Sequence, residues 1–283
     1  MGTPAQVSAG SRVGGGPELV DCHTHTRYSD GRPSVEENVA RAAELGLTTI
    51  ACTDHFVLPP EIDPRCEVSV PADQASAYAA DVAAARAAHP EVDVVLGWEC
   101  DYYDGCETYI ERYRGEATFL LGSVHMLERR WIDDGDDLSY WDEQGTRTVW
   151  ERYFATWCEA CACPVGFSSM AHPDLVRKFG RIPDDAALLA RLYDEAAQAA
   201  RAAGVRVEVS SAGLTTVTRA FYPTSALLAT FARAGVPITV GSDAHDVARI
   251  GDHIEALYAY AHAAGYRSVD VPTSEGGWRK VAL

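Results

Sequence analysis

Val20-Asp21-Cys22-His23-Thr24-His25-Thr26 is the stretch on which the reading of this chain turns. A short apolar approach ends in two histidines at alternate positions. On an extended strand, residues i and i+2 face the same way. His23 and His25 can therefore offer both imidazoles to one ion from the end of a single strand. Two histidines so spaced also occur in solvated loops, so the pair gains meaning only if other parts of the chain supply further ligands.

Working outward, the same succession recurs: an apolar strand, a ligand-type residue, then a helix. Strands are expected at 19–22, 47–52, 92–97, 117–122, 165–170, 205–210 and 237–241. Ser34 and Glu37 have capping-box spacing, and the helix they open closes at Gly46. Further helices are expected at about 73–88, 106–113, 144–161, 184–203 (closed by Gly204), 224–234 (closed by Gly235) and 246–264. A Pro-rich loop spans 57–71, and an acidic, irregular stretch at 128–142 has the length of a lid or a site wall. Seven βα units in series require a parallel sheet, because each crossover needs its helix. The class is α/β, a closed or nearly closed (β/α)7 barrel with its site at the C-terminal mouth.

Composition narrows the function. The 283 residues, 47% of them hydrophobic, suffice for one large domain over 17–283, with the Gly-, Ser- and Ala-rich residues 1–16 as a flexible leader that lacks the pattern of a signal peptide. No apolar run reaches the roughly 20 residues of a membrane-spanning helix. A formal charge of −17 without any Lys/Arg run argues against nucleic acid as a partner. The eight cysteines, with no secretion signal, suggest reduced thiols in the cytoplasm. Cys158-x-x-Cys161-x-Cys163 has no second pair at finger spacing and is read as packed helix cysteines rather than a zinc site. Oligomeric state is not set by these patterns.

Of nine histidines, six fall at or just after a strand end: His23, His25, His55, His125, His172 and His245. His89, His253 and His262 do not, and are read as surface or packing residues. Asp30, Glu99 and Asp243 join the six at the same rim. Mixed imidazole and carboxylate ligands without thiolate suit zinc, manganese or iron. Nine candidates exceed the need of one ion and suggest two or three divalent ions with a bridging carboxylate. Such sites suit displacement at phosphorus, where one ion polarises the phosphate oxygens and an activated water attacks in line.

The motifs His23-x-His25, Thr53-Asp54-His55, Gly97-Trp98-Glu99-Cys100-Asp101-Tyr102, Gly122-Ser123-Val124-His125, His172-Pro173-Asp174-Leu175 with Lys178-Phe179-Gly180, and Gly241-Ser242-Asp243-Ala244-His245 follow one another between residues 19 and 265. In that order the chain resembles the PHP (polymerase and histidinol phosphatase) superfamily, and within it the histidinol-phosphate phosphatases. The resemblance implies a distorted (β/α)7 barrel with three metal positions: His23, His25, Glu99 and Asp243 at the first; Glu99, His125 and His172 at the second; Asp30, His55 and His245 at the third. It also implies a phosphomonoesterase acting on a small phosphate ester, with L-histidinol phosphate as the leading substrate. Another small phosphate ester is the alternative, and a non-catalytic module is the remote one. Arg177, Lys178, Arg219 and Arg249 are the candidates to contact substrate. Asp243, His245 and His172, or a metal-bound water, are the candidates to protonate the leaving group, and the sequence does not choose among them. Two positions depart from the pattern. Gly31 stands where many histidinol phosphatases carry a histidine, with Asp30 preceding it, and Ser210 stands where an asparagine is usual.

Overall fold

A computed structural model describes residues 17–283, so the leader expected at 1–16 lies outside the described residues. In chain order the elements are β1 (Val20–Thr24), α1 (Val35–Leu45), β2 (Thr49–Cys52), α2 (Ala75–Ala88), β3 (Asp93–Asp101), α3 (Cys106–Tyr113), β4 (Phe119–Ser123), β5 (Met126–Leu127), β6 (Arg130–Trp131), α4 (Ser139–Gln144), α5 (Thr146–Cys161), β7 (Ser169–Met170), α6 (Ala186–Ala203), β8 (Arg206–Ser210), α7 (Ser225–Ala234), β9 (Ile238–Gly241), α8 (Ile254–Ala263), β10 (Ser268–Pro272) and β11 (Trp278–Ala282). Seven strands form one parallel sheet in the order β1-β2-β3-β4-β7-β8-β9. Its two ends meet at the mouth: His25 N donates to Ala244 O at 2.8 Å and Asp243 N to His23 O at 2.9 Å. The barrel is thus nearly closed, and the first and last ligand-bearing loops are stitched together.

The strands are buried almost throughout, as a parallel sheet covered by helices requires. Val94, Val95, Phe119, Leu121, Val207 and Val240 are among the residues that fill the interior or pack outward against helices. Helix α1 turns Val35, Val39 and Ala42 inward, and α5 turns Trp150, Tyr153, Phe154 and Trp157 inward. Each such large side chain contributes about 1.5–3 kcal/mol on burial. The capping box at Ser34 and Glu37 forms, with Glu37 N donating to Ser34 Oγ at 3.2 Å and Ser34 N to Glu37 Oε2 at 2.7 Å. Gly46, Gly204 and Gly235 end their helices in the left-handed conformation.

Several boundaries differ from expectation. The third strand continues through Glu99 to Asp101, because it pairs with β4 over that length. The strand expected at 165–170 shrinks to two residues. The helix expected at 144–161 forms over Thr146–Cys161, and a short unexpected helix, Ser139–Gln144, precedes it across Gly145 at φ 75° and ψ 151°. The last helix begins at Ile254, since Gly251 and His253 both take positive φ. The acidic stretch 128–142 contains part of the β5–β6 hairpin and most of α4, and residues 268–282 hold an antiparallel hairpin that the βα pattern did not anticipate.

Candidate metal centre

The nine ligand-type residues converge at the C-terminal mouth. The first group is tight: His23 Nε2 lies 3.0 Å from His25 Nε2, and 3.2 Å from Glu99 Oε2. His25 Nε2 is 3.4 Å from the same oxygen and 3.2 Å from Asp243 Oδ1. The second group uses the other oxygen of the same carboxylate. Glu99 Oε1 is 2.9 Å from His172 Nε2 and 3.6 Å from His125 Nε2, and those two nitrogens are 3.3 Å apart. The third group sits at the rim, with Asp30 Oδ1 3.2 Å from His245 Nε2 and Asp30 Oδ2 3.8 Å from His55 Nε2. Two contacts tie the rim to the first group: His25 Nδ1 lies 3.8 Å from Asp30 Oδ1, and His55 Nδ1 lies 3.3 Å from Glu99 Oε2. Glu99 therefore stands between two imidazole groups with one oxygen toward each.

The strand period places these groups. His23 and His25 alternate on β1 and its end, and Glu99 and Asp101 alternate on β3, so each pair faces inward. His172 and Asp243 take φ of 23° and 55°. Non-glycine residues in such conformations persist only where surrounding contacts hold them. Here His172 N donates to Glu208 Oε2 at 2.9 Å, and Asp243 N to His23 O. The loop carrying Asp30 leaves no room at residue 31, where a Cβ would meet His25 C and Thr26 N at 2.7 Å. The carboxylate one position earlier is what this loop can present.

Buried carboxylates outside the nine orient them. Glu208 Oε1 is 2.8 Å from His23 Nδ1, and Asp101 Oδ1 is 2.8 Å from His125 Nδ1. Asp54 accepts from Thr26 N (2.8 Å), Thr26 Oγ1 (2.9 Å), Ser29 N (3.1 Å) and Ser29 Oγ (2.6 Å), fixing the loop that ends in Asp30. Asp21 accepts from Ser242 N, Ser242 Oγ and Gly251 N, fixing the loop that carries Asp243 and His245. None of these four is among the candidates that the sequence puts forward. Their signal there is a lone carboxylate in an otherwise apolar strand or at its end, as in Arg206-Val207-Glu208-Val209-Ser210.

Electrostatics follow from packing six imidazoles against three carboxylates. Burial alone would push His25 and His125 down, but the carboxylates outweigh it and raise both to about 10. Burial opposes protonation of His23 as well, and Glu208, Asp243 and Glu99 still hold it well above the usual range. His55, for which burial dominates, is pushed down. Burial would raise Glu99 and Asp243, yet the imidazoles hold both well below the usual carboxylate range. Divalent cations fit this donor set. The Nδ1 atoms of His25, His55 and His172 are buried and make no hydrogen bond. The carboxylates on Nδ1 of His23 and His125 turn the Nε2 of each ring toward other ligand atoms, where a divalent cation would take the place of the Nε2 proton.

Above the nine lies a cavity of about 570 Å³. One wall is Asp63, Arg65, Glu67, Trp131, Asp133 and Asp134; another includes Ala212, Thr215, Thr216, Tyr222 and Arg249. The stretch 128–142 thus forms site wall through Trp131, Asp133 and Asp134. The four basic candidates part company. Arg249 lines the cavity; its Nε is 3.5 Å from Asp252 Oδ2, while Nη2 is buried without a hydrogen-bond partner. Lys178 lines it too, but donates to Asp133 O at 2.8 Å and Asp133 Oδ2 at 3.1 Å. Arg177 is buried, bonds to the carbonyls of Ala220 and Phe221, and lies over the Tyr222 ring, so its charge is spent on holding that loop. Arg219 is exposed and does not line the cavity. All eight cysteines are free, and Cys158, Cys161 and Cys163 join no metal-type cluster among the described residues. His89 pairs with Glu36 at 2.8 Å on the surface, His253 precedes α8 and His262 lies within it.

The sequence is 27% identical over 237 residues to a Deinococcus radiodurans protein described as "Probable histidinol-phosphatase", covering 82% of this chain and 88% of that one. The structure is similar, at a TM-score of 0.76 and 18% identity over 93% of this chain and 99% of the other, to the crystal structure of histidinol phosphate phosphatase from Lactococcus lactis complexed with zinc, L-histidinol and phosphate. Residues 21–212 match the family model described as PHP domain, and this span carries seven of the nine ligand-type residues. The chain belongs to the PHP domain family.

Proposed function

We propose that this protein is a metal-dependent phosphomonoesterase of the cytoplasm that hydrolyses L-histidinol phosphate to L-histidinol and phosphate. Two or three divalent ions, zinc, manganese or iron, would be held by His23, His25, Asp30, His55, Glu99, His125, His172, Asp243 and His245. The observation that carries the reading is Glu99, whose two oxygens face separate imidazole groups beneath a cavity sized for a small ester. The zinc, L-histidinol and phosphate in the complex of the Lactococcus lactis relative support the substrate and the metal. Eight free cysteines fit a reducing compartment. No helix among the described residues is long and apolar enough to cross a membrane.

When bound, the ions supply Lewis-acid polarisation of the phosphate and a nucleophile at neutral pH. The remaining work falls to side chains of this chain. Arg249, which lines the cavity, offers its guanidinium to a phosphate oxygen, a charge-assisted hydrogen bond. Asp133, whose Oδ2 is fixed by Lys178, offers its carboxylate to the ammonium of the alcohol, and Trp131 offers a flat apolar face to the ring. Of Asp243, His245 and His172, His245 is the most solvent-exposed and best able to pass a proton to the leaving oxygen. A second reading, another small phosphate ester, is favoured by the uncharged wall of Ala212, Thr215 and Thr216 after Ser210.

Turnover of L-histidinol phosphate against a panel of sugar phosphates, nucleotides and aryl phosphates, with each metal added in turn, separates the two. Histidinol phosphate is expected to lead the panel. A generic aryl phosphate hydrolysed equally fast would end the substrate assignment and leave the phosphatase standing. Protein inert toward every ester with all three metals would end both.

A further inference from the structure

Glu208 lies in the middle of β8 with 1% of its surface exposed, and it touches two ligand groups at once. Oε1 is 2.8 Å from His23 Nδ1, and Oε2 accepts from His172 N at 2.9 Å. The first contact fixes a proton on His23 Nδ1, because a carboxylate can only accept, and turns Nε2, the nitrogen available to a metal, toward Glu99 and Asp243. The second contact holds the backbone of His172 in its unusual conformation, which aims His172 Nε2 at Glu99 Oε1. The neighbouring strand is cut to fit this arrangement. At Gly241 a Cβ would collide with Glu208 Oε1 and stand 2.5 Å from His23 Cβ.

We infer that Glu208 is a positioning residue that couples the first and second metal positions, so that their ions are gained and lost together. The two groups share Glu99 in front and Glu208 behind. A shift of the Glu208 carboxylate turns His23 and releases the His172 backbone in one movement. Asp101 differs in kind: it is 2.8 Å from His125 Nδ1 and groups with His125 and His55 but not with His23 or His25, so its loss leaves the first position in place. The coupling rests on the metal reading proposed above.

The test follows zinc content and not turnover. Full-length wild type, E208Q and D101N are loaded with zinc, dialysed against graded chelator and analysed for bound metal, with circular dichroism of each stripped protein to establish that it folds. The amide of E208Q keeps the shape of the side chain but accepts on one side only. E208Q is expected to lose two ions in a single step, at about ten- to hundred-fold weaker chelation than wild type. D101N is expected to lose one ion early and keep the other. Retention of both ions by E208Q, or loss of only one, overturns the coupling. Should E208Q fail to fold, G241A presses on the same contact with every ligand in place, and the same paired loss or its absence decides. Wild type holding fewer than two ions overturns the metal reading, an outcome distinct from a single loss in E208Q.

Discussion

The inner and outer parts of the cluster are built differently. His23, Glu99, His125 and His172 are buried at strand ends or the turns that follow them, where backbone ladders and the outer carboxylates Glu208 and Asp101 hold the rings. Asp30 and His245 stand on loops, their side chains 32% and 38% exposed, and His245 Nδ1 is turned to the carbonyl of Asp243 in place of a buried carboxylate. The same residue types thus form a preorganised floor and an adjustable rim. Preorganisation removes the cost of ordering ligands when an ion arrives. The floor is therefore expected to hold ions that persist through purification, and the rim one that exchanges.

The largest expected effect breaks the floor. E99Q removes the carboxylate shared by two groups and is expected to lower kcat/KM by about a thousand-fold or more, with loss of bound metal. An effect no larger than that of a rim substitution would sink the distinction. R249M probes the wall above the rim: removal of one charge-assisted contact is expected to lower kcat/KM by about ten- to hundred-fold with metal content unchanged. D30N is milder, on the order of ten-fold, because partial exposure discounts the lost charge. Graded chelation should free its ion first.

The smallest effect concerns the cavity wall. Asp63 accepts from Glu67 N, Val68 N, Ser69 N and Ser69 Oγ at 2.9–3.0 Å. Burial would raise its carboxyl, yet the amides of Ser69, Glu67 and Val68 hold it below the ordinary 3.8. A carboxyl depressed on folding contributes stability above pH 3.8 and loses it as pH falls through the lowered value. D63N is expected to cost about 1–3 kcal/mol at neutral pH. In urea denaturation at about pH 7 and about pH 3, wild type should lose more stability than D63N over that interval. Equal losses would refute the assignment.

Much of this was legible in the chain. The alternation of strand and helix, the caps at Ser34, Gly46, Gly204 and Gly235, and the clustering of six histidines after strand ends depend on local periodicity and short motifs. What escaped depends on distant partners. Glu208 is 185 residues from His23, so nothing beside it in the sequence says that its buried charge has a hydrogen-bond donor waiting. Arg177 and Arg249 look alike as cations. One is spent on the carbonyls of residues 220 and 221, and the other lines the cavity. The short helix before Gly145 and the hairpin at 268–282 also escaped, because six helical residues and two short strands give weak signals next to long amphipathic helices.

By itself the sequence determined the set of ligand-type residues, their order around the barrel and the end of the barrel at which they gather. Strand period and βα alternation are local properties, and they fix which way a side chain points. Only the tertiary structure decided that Glu99 turns one oxygen to each of two imidazole groups, that Glu208 touches both groups from behind, and that Lys178 and Arg249, of the four cations, line the cavity. Those outcomes depend on separations of about 3 Å between residues from opposite sides of a nearly closed sheet, and closure is a property of the whole chain.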